Sequence, residues 1–366
     1  MQRVFCGIKS VSAALSECAA KQIFIVRDRA FDQFSIASEI SALPFPHVVF
    51  DNFTPNPVYE DVVSGVRLFN NSGCDCILAI GGGSTIDMAK CIKLYCRMDH
   101  DRSYLSQEYV ENNFPILAIP TTAGTGSEST RIAVIYSQGE KQSISHDAIL
   151  PAHVVFDPSV LNTLPLYQRK CTMLDALCQA IESWWSIAST EESKALSKLA
   201  IEIIIRNMRG YLSHDPHGNC QMMRAANLSG RAIDIAHTTA AHAMSYKLTT
   251  LYGIAHGHAV ALCLPAIWRY MAAHIDQCTD SRGAAYVRGM FDEIAAALGQ
   301  ADTNDAITWF EALLAGMRIV RPDHMRELDI PSLAIAVNPA RLRNNPVAMD
   351  HDVAAELYRV ILATNT

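Results

Sequence analysis

Cys76-Ile77-Leu78-Ala79-Ile80-Gly81-Gly82-Gly83-Ser84-Thr85-Ile86-Asp87 is an apolar run that breaks into three glycines and then into polar residues. A short apolar run bounded by glycine reads as a buried strand, and the spacing after it reads as a helix over 84–96. Glycines at such a junction let the backbone approach a ligand and adopt positive φ. Ser84 is a suitable N-cap, with Asp87 three residues on as in a capping box. The exposed amides of that helix start would suit a pyrophosphate. A plain glycine-rich turn that only caps a helix is the alternative, and the strict G-x-G-x-x-G pattern is absent.

The same alternation extends on both sides. Lys21–Val26 and Phe45–Phe50 read as strands, Val58–Asn70 as a helix and Pro115–Pro120 as a further strand. Strand–helix alternation predicts an α/β fold with a parallel sheet covered on both faces. After about residue 165 the strand signals fade. Helical patterns follow at 172–187, 191–212, 220–236, 237–251, 256–273, 284–299 and 303–316. The expected organisation is an α/β nucleotide-binding domain over 1–160 and an all-helical metal and substrate domain over 161–366.

The chain has 366 residues, 50% hydrophobic and 18% charged, which supplies two sizeable cores and excludes a disordered or collagen-like chain. Lys+Arg 30 against Asp+Glu 37 gives a net charge of −7, so neither nucleic acid nor an anionic membrane is an expected partner. The 11 cysteines are scattered without a CxxC pair, which argues for reduced thiols and a cytoplasmic location rather than a disulfide framework. No run approaches the ~18 apolar residues of a membrane span, and the N-terminus carries no signal-peptide pattern.

Pro120-Thr121-Thr122-Ala123-Gly124-Thr125-Gly126-Ser127-Glu128 forms a second loop after the next strand. Its hydroxyls at Thr121, Thr122, Thr125 and Ser127 are candidate phosphate contacts. Two such loops at the carboxyl ends of consecutive strands match the crevice rule for open α/β sheets. Asp28, ending the first strand, is placed to accept from a ribose 2′-OH and so favours NADH. Arg27 and Arg29 beside it would favour NADPH, and Asp28 capping the next helix is a third reading.

In the helical half, Asp175 and Gln179 stand four apart and share a helix face, with Glu182 one turn on. His242 and His256 lie 14 residues apart on successive helical patterns. One carboxylate and two imidazoles form a plausible set for Fe(II) or Zn(II), although a histidine at a helix start is also a common cap.

Taken together and in order, these motifs resemble the iron-dependent (group III) alcohol dehydrogenases, whose fold also serves dehydroquinate synthase and glycerol dehydrogenase. The resemblance runs from Phe53-Thr54-Pro55-Asn56-Pro57 through Gly81–Ser84 with Asp87 and Lys90, Pro120–Thr122, Asp157-Pro158 and Asp175–Glu182 to His242–Pro265. It implies NADH or NADPH in the cleft of a two-domain enzyme, Lys141 near the cofactor, and a divalent metal held by one Asp and three His. Asp175, His242 and His256 match three of those ligands. Gln179 stands at the fourth, and Tyr246 replaces a further histidine near the nicotinamide. An amide oxygen is a weaker ligand than imidazole for Fe(II) or Zn(II), so the metal would be loosely held or dispensable.

The runs around Gln179, Tyr246 and His256 resemble the phosphonoacetaldehyde-reducing branch of that family. The expected reaction is hydride transfer to a small anionic aldehyde, with Tyr246 or His258 as proton donor. Arg131 and Lys247, with Arg231 as a third, are candidate partners for the substrate anion; each is otherwise a solvated charge. A homodimer is the candidate assembly. A non-redox cyclase of the dehydroquinate-synthase type and an inactive nucleotide-binding protein are the competing readings.

Overall fold

The computed structural model describes residues 2–363. They fall into two compact units that divide between Leu164 and Pro165, where the sequence reading sets the boundary after residue 160.

The first unit is built on a six-stranded parallel sheet. Its strands are β1 (Arg3–Cys6), β2 (Ile23–Arg27), β3 (His47–Phe50), β4 (Cys76–Gly81), β5 (Ile116–Pro120) and β8 (His153–Phe156), in the spatial order β1-β8-β5-β4-β2-β3. β6 (Ile132–Ser137) and β7 (Glu140–Ser145) form a separate antiparallel hairpin. The helices are α1 (Val11–Glu17), α2 (Ala37–Ser41), α3 (Tyr59–Ser72) and α4 (Gly83–Tyr95). Every residue of β4 and β5 is buried, as expected for strands covered on both faces. Each fully buried aliphatic side chain there contributes about 1.5–3 kcal/mol, so the apolar runs themselves hold the sheet.

Gly81 pairs in register with Pro120, so the loops leaving β4 and β5 begin side by side. Arg27 of β2 pairs with Ile80, and the Asp28 amide donates to the Ile80 carbonyl. The end of β2 thus opens at the same edge of the sheet.

The second unit is helical: α5 (Leu166–Trp185), α6 (Glu191–Leu212), α7 (Pro216–Ala236), α8 (Ala240–Tyr252), α9 (His256–Ala273), α10 (Ala284–Ala297), α11 (Thr303–Met317), α12 (Ile330–Ile335), α13 (Pro339–Leu342) and α14 (His351–Ala363). α5 packs against α6, α7, α9 and α10, and is buried along most of its length. Trp185 on α5 meets Trp268 on α9 and Phe291 on α10, at ring-centroid separations of 5.5 and 6.0 Å. The start of α6 is fixed by a capping box between Thr190 and Ser193, and that of α7 by Asp215 with Pro216 behind it. All eleven cysteines are free thiols. Among the described residues no helix is long and apolar enough to cross a membrane.

Candidate active site

The two loops of the first unit interlock. A Cβ on Gly83 would lie 2.9 Å from the Thr125 side chain, and one on Gly82 3.3 Å from Thr122. A Cβ on Gly81 would collide with Thr85. The glycines therefore serve close approach, whereas none of Gly81, Gly82 and Gly83 has positive φ, contrary to the expectation above. The capping box is also corrected. Gly82 is the N-cap and α4 begins at Gly83, because Ser84 is already inside the first turn, where its Oγ accepts from the Asn56 amide at 3.1 Å. No side chain caps the helix start, and Gly83 and Ser84 in its first turn stay part-exposed.

Asp87 and Ser127 lie beneath this surface. The Ser127 hydroxyl donates to Asp87 Oδ1 at 2.5 Å, and the Val134 amide donates to Oδ2 at 3.0 Å. The fully buried Lys90 ammonium donates to Ser127 Oγ at 2.9 Å, Thr130 Oγ1 at 3.0 Å and the Ile132 carbonyl at 2.7 Å. Burial pushes the Asp87 carboxyl above its ordinary value, while Lys90, Ser127, Val134 and Lys141 pull it down. These groups fasten the threonine–glycine loop to α4. Gly82, Gly83, Ser84, Thr122 and Thr125 stay part-exposed, whereas Thr121 is buried. Asp28 Oδ1 accepts from the Ala30 amide at 2.8 Å and so stabilises the turn after β2. Lys141, on β7, is close enough to Asp87 to act on its charge.

In the second unit, α5, α8 and α9 bring Asp175, His242 and His256 together. One ligand atom from each lies within 4.8 Å of the others, with Asp175 and His242 buried and His256 half-buried. His242 Nε2 is 3.3 Å and His256 Nε2 3.9 Å from Asp175 Oδ1. His242 Nε2 is buried and makes no hydrogen bond. Its Nδ1 is hydrogen-bonded to Glu182 Oε2, which leaves Nε2 as the nitrogen directed at Asp175.

Glu182 is fully buried on α5. Its Oε1 accepts from the amides of Thr239 (3.0 Å), Ala241 (3.0 Å) and His242 (3.3 Å) and from the Thr239 hydroxyl (2.8 Å). One carboxylate thus caps α8 and orients the imidazole carried on its first turn. Burial disfavours a charged His242, but Glu182 and Asp175 outweigh it and raise its pKa to about 9. The unpartnered buried Nε2 facing Asp175 is the point where a divalent cation would sit. The donor set fits a divalent metal.

Gln179 is buried on α5, and its Oε1 accepts from the Ser229 hydroxyl of α7 at 3.2 Å. Tyr246 stacks on His256 with centroids 5.7 Å apart and ring planes 13° apart. Burial raises the Tyr246 phenol above its ordinary value, and Arg341 and Thr238 act in the opposite sense. His258 points elsewhere: Nε2 meets the Val320 carbonyl and Nδ1 the Tyr167 hydroxyl, each at 2.9 Å. With a carbonyl at Nε2, that nitrogen donates and Nδ1 accepts. His258 therefore braces the start of α9 against α5 and does not join the Asp175 cluster. Arg131 is half-buried and paired with Asp147 at 2.9 Å, and Lys247 and Arg231 are exposed on α8 and α7.

Sequence reasoning missed the role of Glu182, although its spacing from Asp175 and Gln179 already put it on their face. It missed Arg341 altogether, whose guanidinium sits over the Tyr246 ring with Cζ 5.6 Å from the centroid. No local spacing links residues so far apart in the chain.

The family model described as "Iron-containing alcohol dehydrogenase" matches residues 2–158, and that described as "Fe-containing alcohol dehydrogenase family, C-terminal" matches residues 170–362. The phosphonoacetaldehyde reductase of Streptomyces viridochromogenes is 32% identical over 327 residues, covering 85% of this chain and 82% of that protein. The lactaldehyde reductase of Escherichia coli is 30% identical over 357 residues, covering 92% and 91%. The crystal structure of sulfoacetaldehyde reductase from Bifidobacterium kashiwanohense in complex with NAD+ superposes with a TM-score of 0.87 at 25% identity, covering 100% of this chain and 98% of that one. Through both of its units, then, the chain belongs to the iron-containing alcohol dehydrogenase family and is an oxidoreductase that interconverts an aldehyde and an alcohol.

Proposed function

We propose that this enzyme reduces a small aldehyde bearing an acidic group, phosphonoacetaldehyde foremost, to the corresponding alcohol. The observation that carries the chemistry is the convergence of Asp175, His242 and His256, with Glu182 fixing the His242 tautomer. The likeness to a phosphonoacetaldehyde reductase and a sulfoacetaldehyde reductase supports the substrate class.

Asp175, His242 and His256 would hold the metal, with Gln179 as a weak or outer partner. The uncapped amides at the start of α4, with Gly82, Gly83, Ser84, Thr122 and Thr125, bind the cofactor pyrophosphate. Asp87, Thr121 and Ser127 shape that loop from below, Asp28 stands on the ribose side, and Lys141 adds a cation. A nicotinamide cofactor bound there would supply the hydride, and a metal on the Asp175 cluster would supply polarisation of the carbonyl. Tyr246, beside His256, donates the proton that the developing alkoxide needs. The substrate anion requires a cation, and Lys247, on the helix that carries His242 and Tyr246, and Arg131 are the groups the sequence singles out.

The test is an assay of NADH and NADPH oxidation with phosphonoacetaldehyde, sulfoacetaldehyde and propanal, each with and without a chelator. The expected result is a higher kcat/KM for an anionic aldehyde than for propanal. Equal or better reduction of propanal would replace this reading with a general aldehyde reductase, the second reading favoured by the likeness to lactaldehyde reductase.

A further inference from the structure

We infer that Arg341, steered by Thr238 and stacked on the ring of Tyr246, is the residue that receives the acidic head group of the substrate. The inference rests on the proposed reading of an anionic aldehyde, and it adds a residue which that reading did not contain.

Arg341 lies against a hydroxyl and an aromatic face. Its Nη1 donates to Thr238 Oγ1 at 3.2 Å, and its guanidinium lies over Tyr246, 5.6 Å from the ring centroid. The Thr238 side chain is also close enough to Tyr246 to act on its phenol. A guanidinium, an alcohol and a phenol are thus gathered at one point. Guanidinium offers a planar fork of donors matched to oxyanions.

The subsite adjoins the proposed metal set. Tyr246 stacks on His256 at 5.7 Å, so the series His256, Tyr246, Arg341 advances by less than 6 Å at each step. A short aldehyde with its carbonyl at the metal set would have its acid group toward Arg341. Thr238 is held by the same helix start, because the next residue, Thr239, gives both its amide and its hydroxyl to Glu182.

Arg341 is also held in place. Asn338 caps α13 through the Ala340 amide at 2.9 Å. Asn344, just beyond α13, donates to the Ala236 carbonyl at 3.0 Å and the Thr238 carbonyl at 3.1 Å, and accepts from the Ser186 hydroxyl at 3.0 Å. The half-buried arginine is therefore positioned by the fold before any ligand arrives, which lowers the cost of ordering it. Lys247 follows Tyr246 by one residue, about 100° around the helix, and is exposed. Arg131 already pairs with Asp147.

Arg341→Met and Arg341→Lys test this. The first readout is the ratio of kcat/KM for phosphonoacetaldehyde, and separately sulfoacetaldehyde, to that for propanal. Loss of a charge-assisted contact predicts a fall in the ratio of about 10–100-fold in Arg341→Met, carried mainly by KM, with partial recovery in Arg341→Lys. A larger fall for the phosphonate than for the sulfonate assigns the subsite to a dianion, and the reverse assigns it to a monoanion. A fall in all three substrates together, with the ratio unchanged, shows that Arg341 only props Tyr246 and overturns the inference. The second readout is calorimetric titration with phosphonoacetate, which needs no turnover. Weaker binding to Arg341→Met than to the unaltered enzyme upholds the subsite; equal binding to both, or none to either, rejects it. Wild-type preference among the aldehydes judges the anionic-substrate reading separately.

Discussion

The carboxylate of Glu182 and the imidazole of His242 meet inside the first turn of α8, so that one residue both caps the helix and sets the tautomer of a candidate metal ligand. Glu182→Gln keeps an oxygen for the helix amides but removes the charge that orients His242. The expected outcome is a ~10–100-fold loss of metal affinity, the range seen when a group hydrogen-bonded to a ligating histidine is removed. Competition against a chelator of known affinity measures it. Undiminished affinity for Fe(II) and Zn(II) would show that Glu182 serves the helix alone.

How far this was legible follows from where each signal lies. The bounds of α6 and α9 match their sequence patterns, because Thr190 with Ser193 and the apolar period after His256 are local features. β1, the β6–β7 hairpin and β8 escaped. β1 is a largely exposed edge strand and presents no apolar run, whereas β8 carries Val154-Val155-Phe156 and was open to the same reading as β3. His153-Val154-Val155-Phe156 repeats the tetrapeptide His47-Val48-Val49-Phe50, which was read as a strand. The Asp175, His242 and His256 cluster was readable from residue type and order. Its support was not, since Glu182 reaches across 57 residues to Thr239 and Arg341 across 103 to Thr238.

The interlocked loops of the first unit predict what a side chain at Gly83 would do. A Cβ on Gly83 lies 2.9 Å from Thr125, and valine there drives Thr125 out of the surface that faces the helix amides. Gly83→Val should weaken NADH binding by at least ~10-fold, given that a single lost charge-assisted contact is worth about 1.5–3 kcal/mol. The far-ultraviolet circular dichroism should remain unchanged. Fluorescence titration with NADH provides the check, and wild-type affinity would remove the loop from the cofactor site.

Gly257 lies between His256 and His258 at the point where α9 meets α5. A Cβ there would overlap the Cys171 carbonyl and come within 2.9 Å of Asp175 Cβ. Gly257→Ala should push the His256 backbone away from Asp175, costing about 1–3 kcal/mol of stability and the metal with it. Gly289, in the middle of α10, has nothing within 4 Å of an added Cβ. Gly289→Ala should instead stabilise by about 0.5–1 kcal/mol through the lower entropy cost of alanine in a helix. Denaturant midpoints of both variants test the contrast. A similar loss at both positions would contradict the packing described.

Gln179 occupies the helix face of Asp175, one turn on, and its amide oxygen is engaged by Ser229. An oxygen that already accepts a hydrogen bond on one side, and that is a weaker donor than imidazole, gives Fe(II) or Zn(II) little hold. Gln179→His puts an imidazole at that point on α5. Ser229 keeps a partner, since its hydroxyl also contacts the Ala226 carbonyl at 2.9 Å. The variant is therefore expected to fold, to bind metal more tightly by chelator competition, and to retain it through purification as read by elemental analysis. In the wild-type enzyme, added Fe(II) or Zn(II) should raise activity, and that dependence should shrink in Gln179→His. Suppose instead that the wild type is fully active without metal and that His256→Ala keeps most of its rate. The Asp175 cluster would then be no metal site, and stabilisation of the alkoxide would fall to Tyr246.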